Sequence, residues 1–119
     1  MVTNTISRLI ENPHNCPVTR AMSIIGGKWK PIILNCIGEK SLRFGKLRQY
    51  IPAISNKVLS NELKELEQFG LIERIEYKEL PPRVEYHLTQ AGRSLLPILH
   101  EIARWGKTEL AIEIIEKAS

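Results

Sequence analysis

Apolar positions recur at helical spacing in successive stretches of the chain, and in one stretch they alternate at period two. Val18, Ala21, Met22 and Ile25 fall at i, i+3, i+4 and i+7, with Pro17 at a favourable first helical position and Gly26 and Gly27 ending the run. Trp29, Ile32, Ile33, Cys36 and Ile37 repeat the pattern, and Pro31 is tolerable in a first turn whose amides lack partners anyway. Two short core helices are therefore expected before residue 38. Ile6, Leu9 and Ile10 fit one turn of an amphipathic helix, with Asn12 to Asn15 reading as a loop.

Gly38 to Ser41 reads as a turn, after which Phe44, Leu47 and Ile51 mark one face of a short helix with Lys46 and Arg48 on its polar side. Pro52, Ala53 and Ile54 form a second turn. Ser55 then caps a helix over 55–69 whose apolar stripe is Leu59, Leu63 and Leu66, which leaves Lys57, Ser60, Asn61, Lys64 and Gln68 on the opposite face. One side is built for a core and the other for a polar partner. Gly70 ends this helix. Val84, Tyr86 and Leu88 alternate with Arg83, Glu85 and His87 as in a half-buried strand, and Leu71 to Tyr77 is its expected partner. The connection over 77–84 contains Pro81 and Pro82 and is flanked by Lys78 and Arg83.

Thr89 is placed to cap a last helix running to about residue 117. Leu95, Leu96, Leu99, Ile102, Ala103, Trp105, Leu110, Ile114 and Ile115 are too many for one small core, so a second partner is expected, and Pro97 predicts a kink. The simplest partner is a second copy of the chain. A dimer interface is expected from Ile6, Leu9, Leu99, Ile102, Trp105, Leu110 and Ile114; the alternative is packing within the monomer against Ile6 to Ile10. The fold class is α+β, mainly α: a winged helix-turn-helix with a two-stranded wing and a long C-terminal dimerisation helix. The 119 residues form one domain, with a DNA-binding core over 16–89 and dimerisation elements over 1–15 and 90–119.

Composition adds little until charge is mapped. The net charge of +4 is modest, but between Lys28 and Lys57 seven basic residues face Glu39 alone, whereas from Arg93 onward four basic residues are matched by four glutamates. A polyanion would be held by the middle of the chain. In the helix-turn-helix geometry the helix from Ser55 enters the major groove of double-stranded DNA. Lysine donates to guanine edges and asparagine pairs bidentately with adenine, so Lys57, Asn61 and Lys64 are the leading base-contacting residues, with Ser60 and Asn56 next. Arg43, Lys46, Ser55, Lys78 and Arg83 complete the expected DNA-binding set, the last two on the wing at the minor groove. The plain alternatives are a solvated helix face and an ordinary surface hairpin.

No apolar run approaches the roughly 20 residues of a membrane span, and residues 1–10 lack the pattern of a secretory signal, so a cytoplasmic protein is expected. An enzyme fits poorly, because the three histidines have no evident nucleophile or carboxylate partner and the chain has no aspartate. No cofactor is expected. Four zinc ligands are not evident around His14 and Cys16. Two cysteines do not make a disulfide framework. Cys36 belongs to an apolar stripe and reads as a buried small hydrophobe. Cys16 precedes Pro17 at a helix start, where the helix dipole and Arg20 favour thiolate.

The chain closely resembles the HxlR-type winged-helix transcriptional regulators, relatives of the MarR group, over residues 16–106. The resemblance rests on Cys16-Pro17-Val18, Ile25-Gly26-Gly27-Lys28-Trp29, Arg43-Phe44-Gly45-Lys46-Leu47, Ile54-Ser55-Asn56-Lys57-Val58-Leu59, Leu63-Lys64-Glu65-Leu66-Glu67, Gly70-Leu71-Ile72 and Pro81-Pro82-Arg83-Val84-Glu85-Tyr86 followed by Leu88-Thr89. It implies a homodimer on near-palindromic operators, the wing at the minor groove and the terminal helix at the dimer interface. Asn56 stands where many such regulators carry proline. Some of them sense oxidants or electrophiles through the Cys-Pro cysteine, which makes Cys16 a possible sensor by resemblance; the alternative is a structural cap. A protein-interaction module on the same fold, without DNA binding, is the competing function.

Overall fold

A computed structural model describes residues 11–110 of the chain. In chain order the elements are α1 (Pro17–Ile25), α2 (Lys30–Ile37), β1 (Ser41–Leu42), α3 (Phe44–Tyr50), α4 (Asn56–Gln68), β2 (Ile72–Tyr77), β3 (Arg83–Leu88) and α5 (Gln90–Glu109), after a single 3-10 turn at Pro13–Asn15. The mainly helical winged helix-turn-helix expected from the pattern is what forms. Its sheet has three antiparallel strands in the order β1-β3-β2, with Ser41 opposite His87 and Ile72 opposite Leu88. The third strand, β1, is an addition to the two-stranded wing, made where Ser41 and Leu42 pair with the base of β3.

The core is wholly apolar among the described residues and sits where α2, α3, α4, the sheet base and the first half of α5 meet. Ile33, Leu34 and Ile37 come from α2, Leu47 from α3, Leu59, Leu63 and Leu66 from α4, Ile72 and Leu88 from the strands, and Leu96 and Leu99 from α5. The three α4 leucines are those of the stripe. Each is essentially inaccessible, so truncating one to alanine would cost about 2–5 kcal/mol.

Caps fix the ends of α4. The Ser55 hydroxyl accepts the Val58 amide at 3.1 Å, satisfying a first-turn donor that has no intrahelical acceptor. At the other end Gly70 has a φ of +76°, which places the Gly70 amide on the Glu67 carbonyl and the Leu71 amide on the Leu66 carbonyl. These two bonds are a Schellman stop, and glycine supplies the left-handed conformation that it requires. Thr89 then joins the end of α4 to the start of α5. Its hydroxyl donates to the Gly70 carbonyl at 2.6 Å and accepts the Gly92 amide at 3.1 Å, while its own amide donates to the Leu71 carbonyl.

Three expectations are corrected. The stripe on α1 is not core: Val18 and Met22 are each 48% exposed and only Ile25 is buried, so that face has no cover within the described residues. On α2, Ile32 faces out and Leu34 faces in, because the buried arc of Ile33, Ile37 and Leu34 is rotated about the helix axis from the expected stripe. Leu99, expected at a dimer interface, is 8% exposed and packs in its own core; Ile98 takes the outer position, in line with Ile102 and Trp105. Within the described residues the last helix runs to Glu109, with Leu110 extended; the stretch expected to reach about residue 117 lies outside them. The helix runs uninterrupted through Pro97. Ile6, Leu9, Ile10 and Ile114 lie outside the described residues.

Candidate nucleic-acid interface

Helices α3 and α4 present the basic part of the chain together. With 100° per residue, the buried leucines of α4 define one direction, and Lys57, Asn61, Lys64 and Gln68 point the opposite way, all exposed. Ser60 is half-buried on the edge nearer α3, and Asn56 is exposed on that same edge. The structure therefore brings the expected α4 residues onto one surface.

The acids of α4 are the feature that sequence reasoning missed. Lys30 of α2 reaches Glu62 at 2.7 Å and Glu65 at 2.5 Å, tying both carboxylates to the side of α4 away from Lys57 and Lys64. Partial burial pulls the Lys30 ammonium down, but hydrogen bonds and charge from the two glutamates outweigh it, and its pKa ends above the ordinary lysine value. Lys30 stays charged at neutral pH. The outward face of α4 thus keeps its cations while Glu62 and Glu65 are engaged from behind, and Glu67, exposed on the other edge beside Lys64, has no ion pair among the described residues. The i and i+3 spacing of Glu62 and Glu65 was visible in the sequence, but nothing there named Lys30 as their partner.

On α3, Arg43 is exposed at the N-cap position and Lys46 is exposed one turn on. The Lys46 ammonium lies 5.5 Å from the centre of the Tyr50 ring, and Lys40, just before β1, lies 5.8 Å from it. This gathers two cations around one exposed aromatic ring. Arg48, on the same helix, donates to the Asn56 carboxamide oxygen.

The wing differs from expectation at one residue. Arg83 is held inside the hairpin by Glu79 at 3.0 Å, Glu85 at 3.4 Å and the face of Tyr77, 3.9 Å from its centroid. A guanidinium so engaged braces the strands. Lys78 remains exposed without a carboxylate partner among the described residues. The tip carries Leu80, almost wholly exposed, before a cis peptide to Pro81. His87 and Glu73 pair across the strands at 2.7 Å, opposite one another in register.

Cys16 occupies the N-cap position of α1, half-buried. Its sulfur makes no capping hydrogen bond, but the nearby Thr19 backbone amide, with the Thr19 side chain and the Val18 amide, favours the thiolate more than burial opposes it and sets the thiol pKa below the ordinary value. The direction is the one expected; the cause is the helix-start amides, and Arg20 plays no part in it. Burial pushes the Cys36 thiol up instead. Iodoacetamide is therefore expected to alkylate Cys16 well ahead of Cys36 at pH 7, with the Cys16 rate reaching its plateau at lower pH. Peptide mass spectrometry across pH 6–10 measures this, and equal profiles for the two thiols would contradict it.

No group of three or more His, Cys, Asp or Glu side chains able to hold a metal is present among the described residues. None of their helices is long and apolar enough to cross a membrane.

Comparison with known proteins agrees with this arrangement. Residues 24–113 match the family model described as HxlR-like helix-turn-helix. An HTH-type transcriptional regulator from Methanothermobacter thermautotrophicus is 44% identical over 97 residues, covering 82% of this chain and 74% of its own. A crystal structure of a MarR-family transcriptional regulator from Porphyromonas gingivalis W83 superposes with a TM-score of 0.79 at 46% identity, covering 87% of this chain and all of that one. The redox regulator HypR in its oxidized form gives a TM-score of 0.75 at 38% identity, with 81% and 99% coverage.

Proposed function

The chain belongs to the HxlR-like helix-turn-helix family, whose members compared above are transcriptional regulators rather than enzymes, and from that premise we propose that it acts as a homodimer on near-palindromic operators. Helix α4 enters the major groove with Lys57, Asn61 and Lys64 toward base edges, flanked by Asn56 and Ser60. Arg43 and Lys46 of α3 and Lys78 of the wing neutralise phosphates on either side. The observation that carries this reading is the outward face of α4, where Lys57, Asn61 and Lys64 stand exposed together while Lys30 holds Glu62 and Glu65 to one side.

Retention on a pool of random duplexes tests it. Specific binding is expected at about 50 mM salt and should fall by about 10³-fold or more by roughly 200 mM, the behaviour of a protein that displaces several counterions. No retention at the lower salt would leave a protein-interaction module as the better reading.

In this reading the DNA-binding core is the segment 16–89, and the dimerisation elements are residues 1–15 and 90–119. Ile98, Ile102 and Trp105 form one exposed apolar row on α5, and Ile32 and Ile102 line the groove between α2 and α5. Such a row is costly in a monomer and is best explained by a second copy. Ile102→Glu with Trp105→Glu is expected to shift a dimer to monomers at micromolar concentration, read by sedimentation velocity. A species of unchanged mass would contradict the interface.

Two half-sites one duplex turn apart, about 34 Å, would then meet two copies of α4. Cys16 is the sensor in this reading: HypR is a redox regulator, and the lowered pKa of Cys16 gives it the nucleophilicity that oxidants and quinones select. Modification at the start of α1 would move the dimer elements and change operator affinity. Cys16→Ser is expected to bind DNA equally before and after diamide, whereas the unsubstituted protein should not.

A further inference from the structure

Helix α4 carries two asparagines that the structure treats differently. Asn61 is exposed on the outward face, and its side chain makes no hydrogen bond among the described residues. Asn56, at the first helical position and on the edge nearer α3, accepts a hydrogen bond from Arg48. A guanidinium is donor-only, so the group turned toward it is the carboxamide oxygen, and the amide nitrogen points elsewhere. Arg48 has no ion pair among the described residues, and its Nε is buried without a partner, so Asn56 Oδ1 is the acceptor on which its hydrogen bonding depends.

We propose that Arg48 is a positioning residue for base recognition: by pinning the Asn56 oxygen it makes Asn56 present donors alone, favouring guanine over adenine at the base pair it faces. Bidentate pairing with adenine needs the carboxamide oxygen and nitrogen turned together toward the N6 amine and N7. The oxygen is committed to α3. The two amide hydrogens that remain match guanine, which offers N7 and O6 as acceptors, while the adenine amine would face a donor. Asn61 keeps both functions and retains the adenine-reading role. Two identical side chains on one helix thus read opposite purines. The inference rests on α4 being the major-groove helix.

Selection from a randomised duplex pool tests it, using the unsubstituted protein, Asn56→Ala, Arg48→Met and the double variant. The position at which Asn56→Ala loses preference identifies the base pair in question. Guanine is expected there for the unsubstituted protein. Arg48→Met, which keeps the packing stem, frees the carboxamide and should move the adenine-to-guanine ratio toward adenine by about fivefold or more; the double variant should show the profile of Asn56→Ala alone. Adenine selected by the unsubstituted protein would overturn the proposal. So would Arg48→Met weakening all duplexes alike with a shallower salt slope, the signature of a phosphate contact.

The pin itself is read without DNA. Side-chain amide resonances of Asn56 are expected to shift and sharpen in Arg48→Met, and unmoved resonances would overturn the proposal whatever the duplex pool shows. An empty pool with shifted resonances would instead remove the groove assignment of α4, and the base preference with it.

Discussion

Replacing Lys57 and Lys64 together by alanine is expected to lower affinity for a selected operator by about a hundredfold or more, while leaving the fold intact. Each side chain is exposed on the outward face of α4, Lys57 in its first turn and Lys64 in its third, and neither makes an ion pair among the described residues. Their removal therefore costs the protein almost nothing, and a thermal midpoint within a few degrees of the parent follows from surface substitutions worth under about 0.5 kcal/mol. The DNA loses far more. A good base contact contributes about 1–3 kcal/mol of discrimination, and the loss of two cations from each subunit of a dimer should flatten the logarithmic salt dependence by up to about four units. Fluorescence anisotropy over a salt series measures both quantities. A double variant that binds as tightly as the parent would place the groove contact on another element.

The second large effect concerns the joint between the end of α4 and the start of α5. Gly92 lies in the first turn of α5, where an added Cβ would stand 2.2 Å from the Leu71 carbonyl oxygen and 3.2 Å from the Leu88 Cβ. The obstacle is backbone, already engaged by the Thr89 amide, so it cannot swing aside as a side-chain tip would. Gly92→Ala is expected to cost about 2–3 kcal/mol and to lower the thermal midpoint by roughly 10 °C, despite the better helix propensity of alanine. Calorimetry measures this. A midpoint equal to or above that of the parent would show that α5 does not pack this tightly on the strand base.

The elements that were legible are those with local markers. Ser55, the leucine stripe and Gly70 delimit α4 almost to the residue, because cap, period and stop are each encoded within the helix. Thr89 marks α5 and the alternation through Val84, Tyr86 and Leu88 marks β3 for the same reason. The two-residue β1 has no period of its own; it becomes a strand only because β3 passes beside it. Periodicity also counts apolar faces without saying what covers them, which is why α1 read as core and why Leu99 was placed at the interface while the outward Ile98 was not named.

Charge was legible as a sum and not as pairs. The basic middle of the chain was evident, yet Lys30 belongs behind α4, Arg83 inside the wing and Arg48 on Asn56. The Lys30 and Arg48 partnerships join different elements, and Arg83 turns to Glu79 of the hairpin loop and Glu85 of its own strand; side-chain identity alone does not specify any of them.

A hydroxyl-radical footprint on a duplex drawn from the random pool tests the central claim most directly. Two equivalent protected patches centred about 10 base pairs apart are predicted, with both lost together in Lys57→Ala, Lys64→Ala. A single unpaired patch, or even protection along the duplex that the double variant retains, would contradict a dimer reading DNA through two copies of α4.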